Sequence, residues 1–301
     1  MHNQLIQCFE GFLLNLCYIK EFFELVIGAI FYLFEALVRL FIQPPRKDVE
    51  GEIVLVTGAA NGIGKLIAKE LGRCGAALVL WDVDWEALDE TAKELRQILD
   101  IRVYAYACDC SRRTEVYKVA DMTYKAFLPA MMSRNHGHLV CVACHGGLFA
   151  MNGLADYCAS KFAAVGFAES IALEMLVLKK EGVKTTIVCP YLINTTMFGG
   201  CQTKWPSFLP IMDKRDAAKM IVDAILREKM YLLLPSSLYF LMALKSFMPA
   251  KLGIILVNFF GGLDLMDRFR GVPVPILPYK KPLRQRYDSI GEPQNAIVYH
   301  N

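Results

Sequence analysis

Apolar and polar positions divide the chain into three zones. Between about residues 50 and 228, short apolar runs alternate with longer runs whose apolar positions recur at i, i+3 and i+4. That is the pattern of strands alternating with helices around a parallel sheet. It predicts strands at Ile53–Val56, Ala77–Trp81, Arg102–Ala107, His138–Ala143 and Lys184–Cys189. It predicts helices at Gly62–Cys74, Trp85–Leu99, about Thr114–Met132, about Ala155–Lys179 and Lys214–Glu228.

The flanking zones read differently. Residues 1–47 hold the uncharged run Leu25–Phe34 inside a wider window, Phe22–Ile42, with the length of a spanning helix, about 20 residues. Glu24, Glu35 and Arg39 interrupt that window, with Glu35 and Arg39 at i, i+4 on one helix face. A single span and a helix or helical hairpin lying in the bilayer interface are both open. Pro44-Pro45 stops the helix, and Arg46-Lys47 set the following domain on the cytosolic side by the positive-inside tendency. After a domain covering 48–228, residues 229–268 are again apolar but broken by Pro235 and Pro249. They suit a pair of helices that cover a substrate or touch a membrane. Residues 269–301 are basic and carry five prolines, Pro273 to Pro293, which predicts a flexible arm.

Composition narrows the class. Of 301 residues, 55% are apolar and 21% charged, and mean hydropathy is +0.34, enough apolar surface to exclude a disordered chain. A net charge of +3 gives no basis for nucleic-acid binding. Ten scattered cysteines are too sparse for a disulfide scaffold and predict reduced thiols.

Two motifs carry chemistry. Thr57-Gly58-Ala59-Ala60-Asn61-Gly62-Ile63-Gly64 follows an apolar strand and opens a helix. Glycines there let the main chain turn sharply and approach a pyrophosphate, which the helix N-terminus attracts. Asp82 ends the next strand at the spacing of an acid that bonds a ribose 2′-hydroxyl, and no Arg or Lys lies between Gly58 and Gly64 to hold a 2′-phosphate. The cofactor expected is therefore NAD. Tyr157 and Lys161 stand at i, i+4, so they share a helix face, and the ammonium is expected to lower the phenol's pKa toward working pH. That suits acid/base work on an alcohol/carbonyl couple. Cys141-Val142-Ala143-Cys144-His145 spells a haem-attachment pattern, but its place at a strand end argues against haem, and no metal site is expected. His136 and His138 read as surface residues of a polar turn.

In this order the motifs resemble the short-chain dehydrogenase/reductase family. Stretches such as Gly153–Ala164 and Lys184–Pro190 are similar to its membrane-bound retinol and hydroxysteroid dehydrogenases, over about residues 22–268. The resemblance implies an α/β Rossmann-like fold with a doubly wound parallel sheet and NAD-linked oxidation of a lipophilic alcohol, a retinoid or steroid. It also implies attachment to endoplasmic reticulum or lipid droplets, and pairing of two copies. It assigns Tyr157 as acid/base, Lys161 as its partner and ribose ligand, and Asp109 to the adenine. Pro190 and Thr195 would lie on a loop closing over the nicotinamide.

Two departures stand out. Only 48 positions separate Asp109 from Tyr157, and they contain no Asn-Asn-Ala-Gly. The usual fourth strand and a catalytic Asn are thus missing, with the seam near Met122-Thr123. The unpaired ladder groups are expected to be met by moving strand 138–143 beside strand 53–56. The family's carbonyl-polarising Ser position is Cys144, a weaker donor, with His145 next to it as a substitute donor. Two readings follow: an active membrane-anchored dehydrogenase, or a catalytically impaired isoform or degenerate paralogue of one.

Overall fold

The computed structural model describes residues 2–108, 127–195 and 198–263. Helix α1 (His2–Phe41) is one continuous 40-residue helix, not a hairpin. Among the described residues no helix is long and apolar enough to cross a membrane, so the expected span is not found. After Pro44-Pro45 the linker is clamped to the domain. The Arg46 guanidinium pairs with Asp223 at 2.6 Å, and the Lys47 amide donates to the Leu226 carbonyl at 2.7 Å. The two basic residues read as a topology signal thus have partners within the fold.

The domain runs β1 (Ile53–Thr57), α2 (Gly62–Arg73), β2 (Ala77–Asp82), α3 (Trp85–Leu99) and β3 (Val103–Ala107). It resumes with α4 (127–134), β4 (Gly137–Val142), a short 3₁₀ turn His145–Gly147, α5 (Ala155–Val177), β5 (Val183–Pro190) and α6 (Lys214–Leu226). Then come β6 (Tyr231–Leu234), α7 (Ser237–Phe247) and α8 (Ala250–Phe259). All five expected strands form, each within two residues of its expected ends. Strand β6 was not foreseen, because a four-residue apolar run ahead of Pro235 has no periodicity to separate strand from helix. Only residues 127–132 of the expected helix 114–132 lie among those described, and they are helical. The seam at Met122-Thr123 and the arm 269–301 lie outside the described residues.

Strands pair in parallel but in two sheets, β1-β2-β3 and β4-β5-β6. Strand β4 pairs with β5 from Gly137↔Val183 to Val142↔Val188, and no pairing to β1 is present among the described residues. The expected re-pairing of strand 138–143 with 53–56 therefore does not occur. Strand β1 shows the consequence. Ile53 is 66% exposed, where a central parallel strand is normally buried on both faces.

Helices join the two sheets. Helix α2 packs on α6, and one core contains Leu78, Leu80, Leu88 and Leu95 of the first half together with Val188, Ile221, Leu232 and Leu234 of the second. On the other face, α5 packs Val165 and Ala168 against Ile187, Cys189 and Leu233. Helix α4 seats Leu128 against Ile171, Met175 and Val183. The opposite face of the first sheet leaves Tyr104 and Tyr106 exposed.

A polar chain closes the base of the second sheet. The Lys47 ammonium donates to His138 Nδ1 at 2.8 Å, His138 Nε2–H donates to Thr186 Oγ1 at 2.8 Å, and Thr186 donates to the Lys229 carbonyl at 2.7 Å. Burial first, then the Lys47 and Lys184 charges, lower the His138 pKa to about 3. His138 is thus a neutral, partly buried strand residue rather than a surface turn residue. The exposed His136 Nε2 lies 2.9 Å from the Glu52 carboxylate.

Candidate active site

The turn from β1 to α2 is Thr57–Gly64. Gly58 has φ +66° and Gly62 φ +59°, and a Cβ on Gly64 would stand 2.0 Å from the Gly58 carbonyl oxygen. The turn is pinned from outside. The Ala60 amide donates to Asp82 Oδ2 at 2.9 Å, the Ala59 amide to the Trp81 carbonyl at 3.2 Å, and Thr91 Oγ1 donates to the Ala60 carbonyl at 3.0 Å. Ile63 packs against the core beneath. Asn61 is the N-cap of α2 but makes no side-chain capping bond. Helix α2 therefore opens with amides that no side chain occupies, and nothing lies within 4 Å of where Cβ atoms on Gly58 and Gly62 would stand. The residues fit a dinucleotide pyrophosphate: open main chain, a helix N-terminus and a fixed carboxylate at the end of β2.

Asp82 does more than the spacing implied. Besides Ala60, its carboxylate accepts from the Asp84 amide at 3.1 Å, so it is also a strut of the turn. Thr91 was missed altogether. It is a buried hydroxyl on an amphipathic helix, a position where its polarity was the only signal. Asp109 lies outside the described residues.

The second half of the site gathers at the end of β4 and the start of α5. Cys144 is buried with its Sγ 3.5 Å from the Pro190 carbonyl and 3.4 Å from His145 Nδ1, and it lies near enough to the Tyr157 phenol to act on its ionisation. Lys161 Nζ lies 5.7 Å from the centre of the Tyr157 ring, and Phe198 meets that ring edge-on at 6.0 Å. Burial pushes the Tyr157 phenol well above its ordinary value, and Cys144 adds to the rise. The expected lowering is absent. The physical reason is that desolvation of the phenol dominates while the ammonium sits beside the ring.

His145 does not replace the missing hydroxyl. Its Nδ1 lies 3.2 Å from the Pro190 carbonyl, its ring meets Tyr191 at 4.6 Å, and burial lowers its pKa to about 4. The neutral ring holds the end of β5 in place. Sequence reasoning also passed over Gly147, where a Cβ would come within 2.6 Å of the Lys161 carbonyl oxygen. The bare backbone lets the 3₁₀ turn lie flat on α5, and the Gly146-Gly147 pair was the available signal. Thr195 is partly buried, its amide 2.7 Å from the Ile193 carbonyl. Among the described residues no cluster of His, Cys, Asp or Glu is arranged to hold a metal.

The apolar segment after β6 is tied to this region. Lys245 donates to the Leu148 carbonyl and lies 5.2 Å from the Phe149 ring centre, and Asn152 donates to the Leu263 carbonyl at 3.0 Å. Phe208 stacks on Phe260 at 5.3 Å, and Trp205 stacks on Phe259 at 5.1 Å.

A glycine turn braced by an acid at the end of one sheet, and a Tyr and Lys one helical turn apart beside the other, are the two halves of a nicotinamide-dependent oxidoreductase site on a Rossmann-like fold. The short chain dehydrogenase family model matches residues 52–123 and 122–204, and the chain belongs to that family. The two matched pieces meet at 122–123, where the sequence placed its seam. Epidermal retinol dehydrogenase 2 of Homo sapiens is 45% identical over 299 residues, covering 85% of this chain and 97% of that protein. The short-chain dehydrogenase/reductase family 16C member 6 of Bos taurus is 40% identical over 276 residues, covering 77% and 87%. Among solved structures, a short chain dehydrogenase/reductase from Burkholderia phymatum in complex with NAD matches at TM-score 0.56 and 21% identity, over 66% of this chain and 94% of that one. A short-chain dehydrogenase from Sphingobium yanoikuyae in complex with NADPH matches at TM-score 0.55 and 21% identity, over 68% and 95%.

Proposed function

We propose that this oxidoreductase uses NAD to oxidise a lipophilic alcohol of the retinoid or steroid type, such as all-trans-retinol. The observation that carries the reading is the meeting of Tyr157, Cys144 and Lys161 at the end of β4, on the same fold as a glycine turn braced by Asp82. A bound nicotinamide would supply the acceptor for the alcohol's hydride. Tyr157 takes the hydroxyl proton of the alcohol. The Cys144 thiol donates a weak hydrogen bond to the same oxygen, and Lys161 supplies positive charge beside the phenol. Thr57, Gly58, Asn61, Gly62, Ile63 and Gly64 would hold the pyrophosphate, and Pro190 and Thr195 would stand on the nicotinamide side. Asp82 favours NAD because its charge repels a 2′-phosphate.

The same reading sets the chain on a membrane, at endoplasmic reticulum or lipid droplets with the domain in the cytosol. Helix α1 supports it. About 60 Å long at 1.5 Å per residue, it exposes Phe22, Ile27, Ile30, Phe31 and Leu33 instead of packing them on the domain. We read it as lying in the interface. Pairing of two copies belongs to this reading too, with Phe167, Leu173 and Val177 exposed along α5.

A second reading is favoured by one observation: among the described residues β1 and β4 each lack a strand on one side. In it the chain binds cofactor but turns over poorly, because a halved sheet holds the glycine turn and Tyr157 out of register. Misplacing a reacting group by 1 Å costs about a hundredfold in rate. NAD titration beside retinol turnover separates the two. Binding with turnover supports the first, binding alone supports the second, and no affinity at millimolar NAD or NADH overturns both.

A further inference from the structure

The surface of α7 and α8 is apolar where it faces solvent. Phe247, at the end of α7, is 88% exposed, and Phe240, Ile254, Ile255 and Phe259 are each at least half exposed. The inward side of α7 is packed, with Leu238 buried in the core around β5 and β6 and Leu241 and Met242 against it, and Phe260 at the end of α8 packs on the same cluster. These helices are therefore held in place while showing a second apolar face. Trp205 stacks on Phe259 at its margin and donates Nε1–H to the Phe259 carbonyl at 2.9 Å, and Tyr239 is partly exposed at the other end.

Charge singles out the occupant. No Asp or Glu occurs from Phe198 to Met212 or from Lys229 to Leu263, while Lys204 and Lys251 are in or beside the patch. Lys204 Nζ lies 6.0 Å from the Phe259 ring centre, its stem along the apolar surface. Aliphatic and aromatic tips, a Trp and Tyr at the margin and cations with no acid among them match an anionic lipid surface. Aromatic side chains lead inward from it across one apolar cluster. Phe259 meets Phe260 and Phe260 stacks on Phe208; Phe208 and Phe198 each pack against the core cluster that holds Leu209, Leu233 and Leu238, and Phe198 meets the Tyr157 ring.

We propose that the corner of α7 and α8 is a membrane contact separate from α1. Phe247, Ile254 and Ile255 enter the acyl region of an anionic bilayer, and the lipophilic alcohol passes from the lipid to Tyr157 along this aromatic path. The route of substrate rests on the function proposed above; the contact itself does not.

The test uses the full chain and phosphatidylcholine/phosphatidylserine vesicles. In a Trp205→Phe background, which removes the tryptophan at the patch margin, Phe247→Trp adds emission that bromine-labelled acyl chains quench strongly, while the parent, left with Trp81 and Trp85 in the first sheet and α3, is quenched much less. Phe247→Glu lowers kcat/KM for vesicle-borne retinol about tenfold and leaves NAD affinity unchanged. If the chain has no turnover, quenching alone decides the contact. Vesicle-bound Phe247→Trp protein whose added emission is insensitive to the bromines overturns the proposal. So does a lipid-free dimer that Phe247→Glu dissociates, because the patch then belongs to a second copy.

Discussion

In the proposed reaction Tyr157 is the acid/base, and its surroundings set the pH at which it can act. Burial and the Cys144 thiol hold the phenol above its ordinary value, so at neutral pH it is protonated. Alcohol oxidation needs the deprotonated form, and its fraction grows about tenfold per pH unit below the pKa. Oxidation by this chain is expected to rise steadily from pH 7 to pH 9 without a plateau; a flat profile would show that the phenol ionises more easily than its burial implies. Tyr157→Phe is expected to lower turnover about 10²–10⁴-fold while NAD titrates as in the parent. Cys144→Ser puts a stronger donor beside Tyr157, and a rise in turnover is the expected outcome. Tyr157 and Lys161 were legible as a pair because helical spacing alone sets them on one face. The direction of the pKa shift was not, since it depends on what buries the phenol.

Among the elements, the β1–α2 turn was the clearest in the sequence, because glycine placement encodes backbone geometry locally. Its braces were hidden. Asp82 was legible as a cofactor ligand by spacing, while its bonds to the Ala60 and Asp84 amides come from the pairing of β1 with β2. Gly64→Ala drives a methyl into the Gly58 carbonyl oxygen, so the turn must open. Loss of NAD binding by calorimetry and a lower melting temperature are both expected. Thr91→Val removes one buried hydrogen bond and leaves the Ala60 carbonyl without it, costing about 1–3 kcal/mol in urea denaturation. The linker shows the same limit. Arg46 and Lys47 read as topology signals by charge alone, and the fold gives them Asp223 and His138 as partners.

Over the whole molecule, stability follows two buried histidines. His138 and His145 have folded pKa values of about 3 and about 4, below the ordinary 6.5. The unfolded chain takes up protons first as pH falls below 6.5, so the stability present at neutral pH is lost progressively toward pH 3 to 4. The melting temperature is expected to fall over that window, and His138→Gln is expected to flatten part of the slope. The split sheet makes a second expectation at this scale. The outward amides of β1 and β4 should exchange hydrogen faster than those of β2 and β5, which are paired on both sides. Equal protection on all four strands would mean that a further strand covers the open edges in solution.

The sequence alone determined the local features of this protein: strands and helices within a few residues, the glycine turn, the Tyr157–Lys161 pair and the seam at 122–123. Each depends on neighbours a few positions apart, through side-chain period, backbone φ or helical spacing. Tertiary structure decided the rest. It divided the strands into two sheets, turned His145 to the Pro190 carbonyl and set α7 and α8 with an apolar face outward. Those outcomes depend on which distant segments meet, and a one-dimensional pattern of apolar positions fixes a strand's two faces without naming its neighbour.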